Sequence, residues 1–483
     1  MMTVASFLLL ILYYYSIKSG NQKEQFLSFV AITAVVDILN IQGYFIRLGE
    51  FSLKYSAVTN TALFLYIIVF VFREKIKFNR SVLYAGLFFL ICALVSVLYE
   101  LIDPYAGLIL NSFSDNSLGG WDEYMRGGIG KEHVNVSLGM TFRAYVKLSM
   151  YTLIVMIIKS TCDYKDLKFI LMKMCKLLTP YIFVGPIELI IKNVLSMPEL
   201  PYEITKVIFG IVEGETTYSE PILRGDLYAL QGFAEEPSRF IVSLFIISLL
   251  LMVNFYTDAK KNVKINIFYQ FVIFFTFMLS GGLTSVWCVF ILFIIAFDLK
   301  FKIYEVSAFK IIIVVMAIFA VSCGAIYIVS EYLTDDNYIQ WRISMAIQTF
   351  DFIISGSVFS LDNDLDSSLP RFVSIVDTFM DFLNRPFWGL GLMVESAHGS
   401  TVNMLADYGI IGTIAWMKFM LVGKENVSYD FFYFVIIGIV SGIAIVISRT
   451  FATQFFCFLL LEITSLYTCN GWMVKVKHDY EKF

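Results

Sequence analysis

The sequence predicts an all-α polytopic membrane protein of about 12–13 transmembrane helices with one large helical outer loop. Three observations predict it. The 483 residues are 58% hydrophobic, with a mean hydropathy of +0.74, against roughly 45–50% apolar content in soluble domains. Apolar segments of roughly 17–25 residues recur along the chain, the length a helix needs to cross a bilayer. The hydrophilic links alternate between short basic ones and longer, often acidic ones, as they do when loops fall on opposite membrane faces. A spanning β-barrel would instead show short alternating segments.

Taken in order, the candidate spans are 2–16, 26–46, 55–72, 81–102, 139–158, 179–196, 237–256, 265–280, 282–298, 310–332, 402–421, 430–448 and 451–468. The whole of 1–483 reads as a single integral membrane domain. The opening "MMTVASFLLLILYYY" has no basic start and no A-x-A site, so a retained first helix is expected. Thirteen spans put the N-terminus outside. Twelve result if 2–16 lies in the interface or if 265–298 is one span. Lys176, Pro180 and Pro186 leave the bounds of the sixth span open.

The basic links hold Lys18 and Lys23; Arg73, Lys75, Lys77 and Arg80; Lys159, Lys165 and Lys168; Lys260, Lys261 and Lys264; Lys300, Lys302 and Lys310. By the positive-inside rule these face the cytoplasm. The links 103–138, 197–236 and 333–401 then face outward. The last is long enough to expect a functional loop. Within it, "SSLPRFVSIVDTFMDFLNRP" has Ser368 as a cap, Pro370 near a first turn and a stop before Pro386, which predicts a short helix.

Composition sets several chemistries aside. The seven cysteines avoid the long polar loops and show no disulfide or zinc spacing. His133, His398 and His478 lie in three separate regions, so no histidine metal cluster is visible. "DNDLD" at 362–366 lacks the glycine and the glutamate of a calcium loop. There is no P-loop and no dinucleotide fingerprint.

The outward links and helix mouths do gather chemistry. "PILRGDLYALQGFAEEPSRF" holds Arg224, Asp226, Glu235, Glu236 and Arg239, with Pro237 suited to a first helical turn. The last link holds Arg371, then "NRPFWGLGL" from Asn384, then His398. Arg143 and Lys147 lie four apart, on one helix face. Arginine suits phosphate because its planar fork donates two hydrogen bonds and stays charged. Histidine suits proton transfer near neutral pH. Together they fit a phosphate-linked substrate whose transfer needs a hydroxyl deprotonated. Plainer roles fit too. His398 fits a solvated helix mouth. Arg224–Asp226 and Arg239–Glu236 fit local ion pairs. Arg143 and Lys147 fit snorkelling to the interface. Asp37, Glu188, Asp407 and Glu462 are acids inside spans, and each is a functional suspect for that reason.

"NRPFWGLGL" followed by "HGSTVNMLADYGIIG" resembles the signature of the bacterial O-antigen polymerase and ligase superfamily. "GFAEEPSRFI" resembles the F-x-x-E-P-S segment of Wzy-type O-antigen polymerases, and "LSGGLTSVWC" stands where that family has a Ser-rich start to the next span. The resemblance covers roughly 215–415. Gly399 stands where the family often has Asn, Val402 where it has Leu, and "GGLTSV" lacks an arginine, which leaves Ser280 and Ser285 without an inferred role.

The resemblance implies a GT-C-like fold in the bacterial inner membrane, with its active site facing the periplasm. It implies a metal-independent glycosyltransferase with no cofactor, joining undecaprenyl-diphosphate-linked repeat units into a polysaccharide. Arg224 and Arg371, with Arg143 as a further contact, would hold the diphosphate. His398, or Glu236, would assist the acceptor hydroxyl. Implied partners are the lipid-linked glycans, membrane lipids and a chain-length regulator, and no nucleic acid. A ligase moving the finished glycan to lipid A–core, and a flippase for the lipid-linked unit, are the alternatives.

Overall fold

The computed structural model describes residues 2–39 except 19, 41–105 except 42, 49, 50 and 75, 108–110, 131–133, 138–211, 221–234 except 222, 225 and 226, 237–257, 263–280, 378–392 and 400–422, with single positions at 285, 288, 289, 292, 459 and 462. The elements are α1 (Val4–Lys18), α2 (Gln22–Leu39), β1 (Tyr44–Leu48), β2 (Phe51–Lys54), α3 (Tyr55–Glu74), α4 (Arg80–Ile102), β3 (Leu108–Leu110), β4 (Lys131–His133), α5 (Leu138–Thr161), α6 (Tyr164–Leu178), a 3₁₀ turn (Thr179–Phe183), α7 (Val184–Leu189), a π turn (Ile190–Val194), α8 (Glu199–Phe209), β5 (Leu223–Arg224), β6 (Leu227–Tyr228), α9 (Pro237–Thr257), α10 (Val263–Leu279), a short α11 over 378–384 and α12 (Ser400–Leu421).

The protein is mostly helical. Among the described residues, six helical runs are long and apolar enough to cross a membrane: Tyr55–Glu74, Arg80–Ile102, Thr141–Thr161, Tyr164–Val194, Pro237–Phe255 and Val402–Leu421. α1 and α10 are apolar but shorter. The expected spans at 282–298, 310–332, 430–448 and 451–468 lie outside the described residues apart from isolated positions.

Four sequence expectations change. The second span was expected to reach residue 46, but α2 stops at Leu39. Gly43 has φ +121° and packs where a Cβ would strike the Phe209 carbonyl, which turns the chain into the β1–β2 hairpin. The sixth span begins at Tyr164, not 179. Pro180 lacks the N–H an α-helix needs, and the run tightens to 3₁₀ there without breaking. The link 197–236 contains α8, whose buried Tyr202, Thr205 and Phe209 fall on one helical face and which ends at left-handed Gly210. Finally, three small antiparallel hairpins, β1–β2, β3–β4 and β5–β6, interrupt the all-α pattern. β3–β4 joins the two ends of the 103–138 link.

Capping explains where helices begin. Asn79 Oδ1 accepts from the Ser81 amide at 3.0 Å and starts α4. Asp163 and Asp166 form a reciprocal box at the start of α6, with bonds of 2.8–3.0 Å. The Asp166 amide holds the Asp163 carboxyl below its usual range.

Within the bundle, α9 is central: 83% of its apolar stretch is buried, against 28% for α3, which leaves α3 peripheral. α4 packs closely on α12 and α5. Gly86 makes room there, since a Cβ would come within 2.5 Å of Met156 Sδ. Phe89 meets Tyr408 edge-on, with ring centroids 5.4 Å apart.

Polar links segregate by end. At one end Lys23 pairs with Asp166 at 2.5 Å. There too the Asn79 amide donates to Ser160 Oγ at 3.2 Å, and Lys159 Nζ donates to the Met420 and Val422 carbonyls. At the other end of the same helices, Ser6 Oγ donates to the Phe45 carbonyl, Thr3 and Tyr55 share a hydroxyl contact, and Arg385 reaches Glu100. Among the described residues, the links around Lys23, Asn79 and Lys159 therefore lie at one end of the bundle, and those around Thr3, Phe45 and Glu100 at the other.

The segment 385–391 and the middle of α12 interlock through glycine. Gly409 (φ +66°) breaks the helix, and Gly389 (φ +76°) turns the loop. The Leu390 amide donates to the Ala406 carbonyl at 2.6 Å, and the Ile410 amide to the Pro386 carbonyl at 2.8 Å. A Cβ on Gly389 would strike the Ala406 carbonyl, and one on Gly409 the Phe387 carbonyl. Gly389→Ala and Gly409→Ala should each lose about 1–3 kcal/mol from the forced dihedral alone, with steric cost added. Both variants should melt earlier in detergent, whereas the exposed-site change Ile410→Ala should melt near wild type.

Candidate functional site

The site is built at the end of the bundle away from the basic links, where two polar clamps hold two loop segments. The first is a buried ion pair. Glu188 and Lys192 are four residues apart across the α7–π junction, 2.6 Å from one another, with side chains 5% and 2% exposed. The π turn is Ile190–Val194, and such local unwinding is frequent at functional sites. Glu188 accepts from the amides of Gln231 (3.0 Å) and Gly232 (2.8 Å). Lys192 Nζ donates to the Ala229 carbonyl at 3.1 Å. Next to them, Asn193 Oδ1 accepts from the Tyr228 amide at 2.7 Å while its Nδ2 donates to the Tyr228 carbonyl at 3.4 Å. Three side chains thus supply hydrogen-bond partners to the irregular backbone of 228–232. That segment lies between the β5–β6 hairpin, which carries Arg224, and the start of α9 at Pro237.

The second clamp is centred on Arg385. Its guanidinium bonds Glu100 at 2.8 Å and Asp103 at 3.3 Å, and lies over the rings of Tyr99 and Tyr105, with centroid distances of 5.0 and 5.3 Å. The Tyr105 hydroxyl donates to Asp381 at 2.9 Å and accepts from Asn384 at 2.8 Å. Ser96 Oγ donates to the Asp407 carbonyl at 2.5 Å. The end of α4 thereby holds α11, the 385–391 turn and the break in α12 together. Phe382, Leu390 and Ala406 form a small buried apolar cluster beneath.

The predicted residues fall as follows. Arg143 and Lys147 are both exposed on α5, one turn apart, near the end that also holds the two clamps. Lys147 attracts Asp37 of α2 across the bundle and is repelled by Arg143. Arg224 lies in β5, its backbone paired with Leu227. Arg371, Glu236 and His398 lie outside the described residues, as does Asp226, so the suggested local pairs of Arg224 and Arg239 lie there too. Ser280 and Ser285 bond each other's hydroxyls in the core. Of the acids suspected inside spans, Glu188 pairs with Lys192 and Glu462 with Lys159 at 3.3 Å, while Asp37 feels the charge of Lys147 without an ion pair among the described residues.

Sequence reasoning passed over Lys192, Asn193, Glu100 and Arg385. An acid and a base at i,i+4 inside the apolar run "PIELIIKNVL" were the signal for the first clamp. The second joins residues about 285 positions apart and had no local signal. Chemically, the two clamps hold backbone in place, and the α5 cations present a positive patch suited to an anionic group.

No family profile matches the chain, no curated protein matches it, and no solved structure matches it.

Removing one member of a buried ion pair strands the other charge. Glu188→Ala should therefore cost about 3–5 kcal/mol, read as a lower melting midpoint in detergent. Glu188→Met/Lys192→Met should recover part of that loss, because no charge is left buried. Full recovery is not expected, since the Gln231 and Gly232 amides lose their acceptor. Arg385→Lys should lose about 1–3 kcal/mol by giving up the bidentate fork and the stacked tyrosines.

Proposed function

We propose that this chain is an O-antigen polymerase of the Wzy type, a metal-independent glycosyltransferase of GT-C-like fold in the bacterial inner membrane. The observation that carries the reading is the ordered run of "GFAEEPSRFI", "NRPFWGLGL" and "HGSTVNMLADYGIIG". It is supported by where the bundle places its buried polar contacts. Glu188, Lys192 and Asn193 hold the residues leading into "EEPS". Glu100, Arg385 and the two glycines hold "NRPFWGLG" against "ADYG". Buried polar groups are costly inside a membrane protein and persist where they are satisfied and useful.

In the proposed reaction an acceptor sugar hydroxyl attacks the anomeric carbon of a lipid-linked glycan. The new bond joins acceptor oxygen to anomeric carbon, and the bond from that carbon to the diphosphate oxygen breaks. Undecaprenyl diphosphate leaves with the bonding pair. The hydroxyl proton passes to His398 or Glu236. Arg224 and Arg371, with Arg143, stabilise the charge growing on the diphosphate. One preorganised donor of this kind contributes about 3–4 kcal/mol. The residues face the periplasm in this reading, and a separate regulator sets chain length.

Arg224→Ala, Arg371→Ala and His398→Ala should each be expressed at normal level and reduce the surface-glycan ladder to a single repeat. Arg→Lys at 224 or 371 should rescue poorly, because an ammonium lacks the bidentate fork. Banding of glycans from cells with and without the chain checks all of these. Full-length ladders from both arginine variants would remove the diphosphate role. Loss of all attached glycan, single units included, would indicate a ligase instead, and units accumulating on the cytoplasmic leaflet a flippase.

A further inference from the structure

A second polar feature sits at the opposite end of the bundle, where the basic links gather. α9 ends at Thr257 and α10 begins at Val263. Asn254 and Asn266 therefore each lie three residues inside the helical hairpin, about 4.5 Å from its turn at 1.5 Å per residue. Between them and α6 is a cavity of about 270 Å³. Its polar lining is Lys176, Thr179, Asn254, Asn266 and Tyr269, and its apolar wall includes Phe255 and Ile265. Lys176 and Ile265 are exposed, so the cavity opens at the surface.

The two lysines of this part of α6 differ. Lys173 donates to Ser28 at 2.6 Å and to Ser16 at 3.1 Å. Lys176 makes no hydrogen bond or ion pair to the protein among the described residues, and its charge repels Lys173. A cation thus stands at a mainly apolar cavity, lined by Met172, Leu251, Phe255 and Ile265, with a few polar groups among them. Its Asn254 and Asn266 lie one helical turn inside the α9–α10 link, which carries Lys260 and Lys261, and Lys176 lies eight residues along α6 from Lys168. That depth is where headgroup meets acyl chain, and basic ends of membrane proteins attract anionic lipids.

We propose that the cavity between α6, α9 and α10 binds the headgroup of an anionic glycerophospholipid. Lys176 takes the phosphate. The amide of Asn266 and the hydroxyl of Tyr269 take the headgroup hydroxyls. An acyl chain runs out along Phe255 and Ile265. The site uses none of the residues proposed for glycosyl transfer and does not rest on that function.

The test is native mass spectrometry of the purified full chain, titrated separately with phosphatidylglycerol, phosphatidylcholine and glycerol 1-phosphate. Phosphatidylglycerol should be retained about fivefold more tightly than phosphatidylcholine, the preference one well-placed lysine supplies. Lys176→Gln should abolish that preference while leaving the melting midpoint near wild type, and Lys176→Arg should keep it. Lys165→Gln, which alters charge at the same end away from the cavity, should leave it intact. Equal retention of the two lipids, or an unchanged preference in Lys176→Gln, would overturn the proposal. Retention of glycerol 1-phosphate as tight as that of the lipid would overturn the lipid as occupant.

Discussion

Glu188 and Lys192 meet 2.6 Å apart in a region where almost no water reaches either side chain. Two charges in such a place are unfavourable unless their attraction and their remaining hydrogen bonds offset the lost hydration. Here the remaining bonds go to backbone. The carboxylate takes the Gln231 and Gly232 amides and the ammonium takes the Ala229 carbonyl. An irregular loop can enter a helical bundle only if its peptide groups find partners, because the surroundings supply none. This ion pair, with Asn193 beside it, meets that condition for 228–232. The orientation of the β5–β6 hairpin and of the entry into α9 depends on it.

The second loop enters by a different route. The 385–391 turn approaches α12 so closely that backbone bonds to backbone, at Leu390 to Ala406 and Ile410 to Pro386. Such an approach needs missing side chains on both partners, and Gly389 and Gly409 supply them. The break at Gly409 frees peptide groups of α12, and the loop's own groups take them up. Arg385 then fixes the loop to α4 through two carboxylates and two aromatic faces. Polar satisfaction and close packing act on the same few residues.

Among the described residues, both clamps lie at one end of the bundle and Lys23, Lys159 and their partners at the other. At one face, the described loop segments 228–232 and 385–391 are held against the helices. At the other, Lys176, Asn254 and Asn266 line a cavity between α6, α9 and α10. Arg143 and Lys147 belong to the first face, where Lys147 is attracted by Asp37 and repelled by Arg143.

The sequence by itself determined the helical membrane class and the positions of the long spans from Tyr55 to Ile102 and at α5, α9 and α12. These follow from local hydropathy and charge, which act over tens of residues and leave a readable pattern. It also marked the start of α9 at Pro237 and the stop of α11 before Pro386. Tertiary structure alone decided that α2 ends at Leu39, that α8 folds within an expected loop, and that Arg385 meets Glu100. It also decided that the "FWGLG" turn fits the break in "DYG". Gly43 turns the chain because Phe209 lies against it, and Gly389 is required because Gly409 lies against it. Such constraints come from neighbours far away in the chain, and no local pattern of residue types encodes which distant backbone will arrive there.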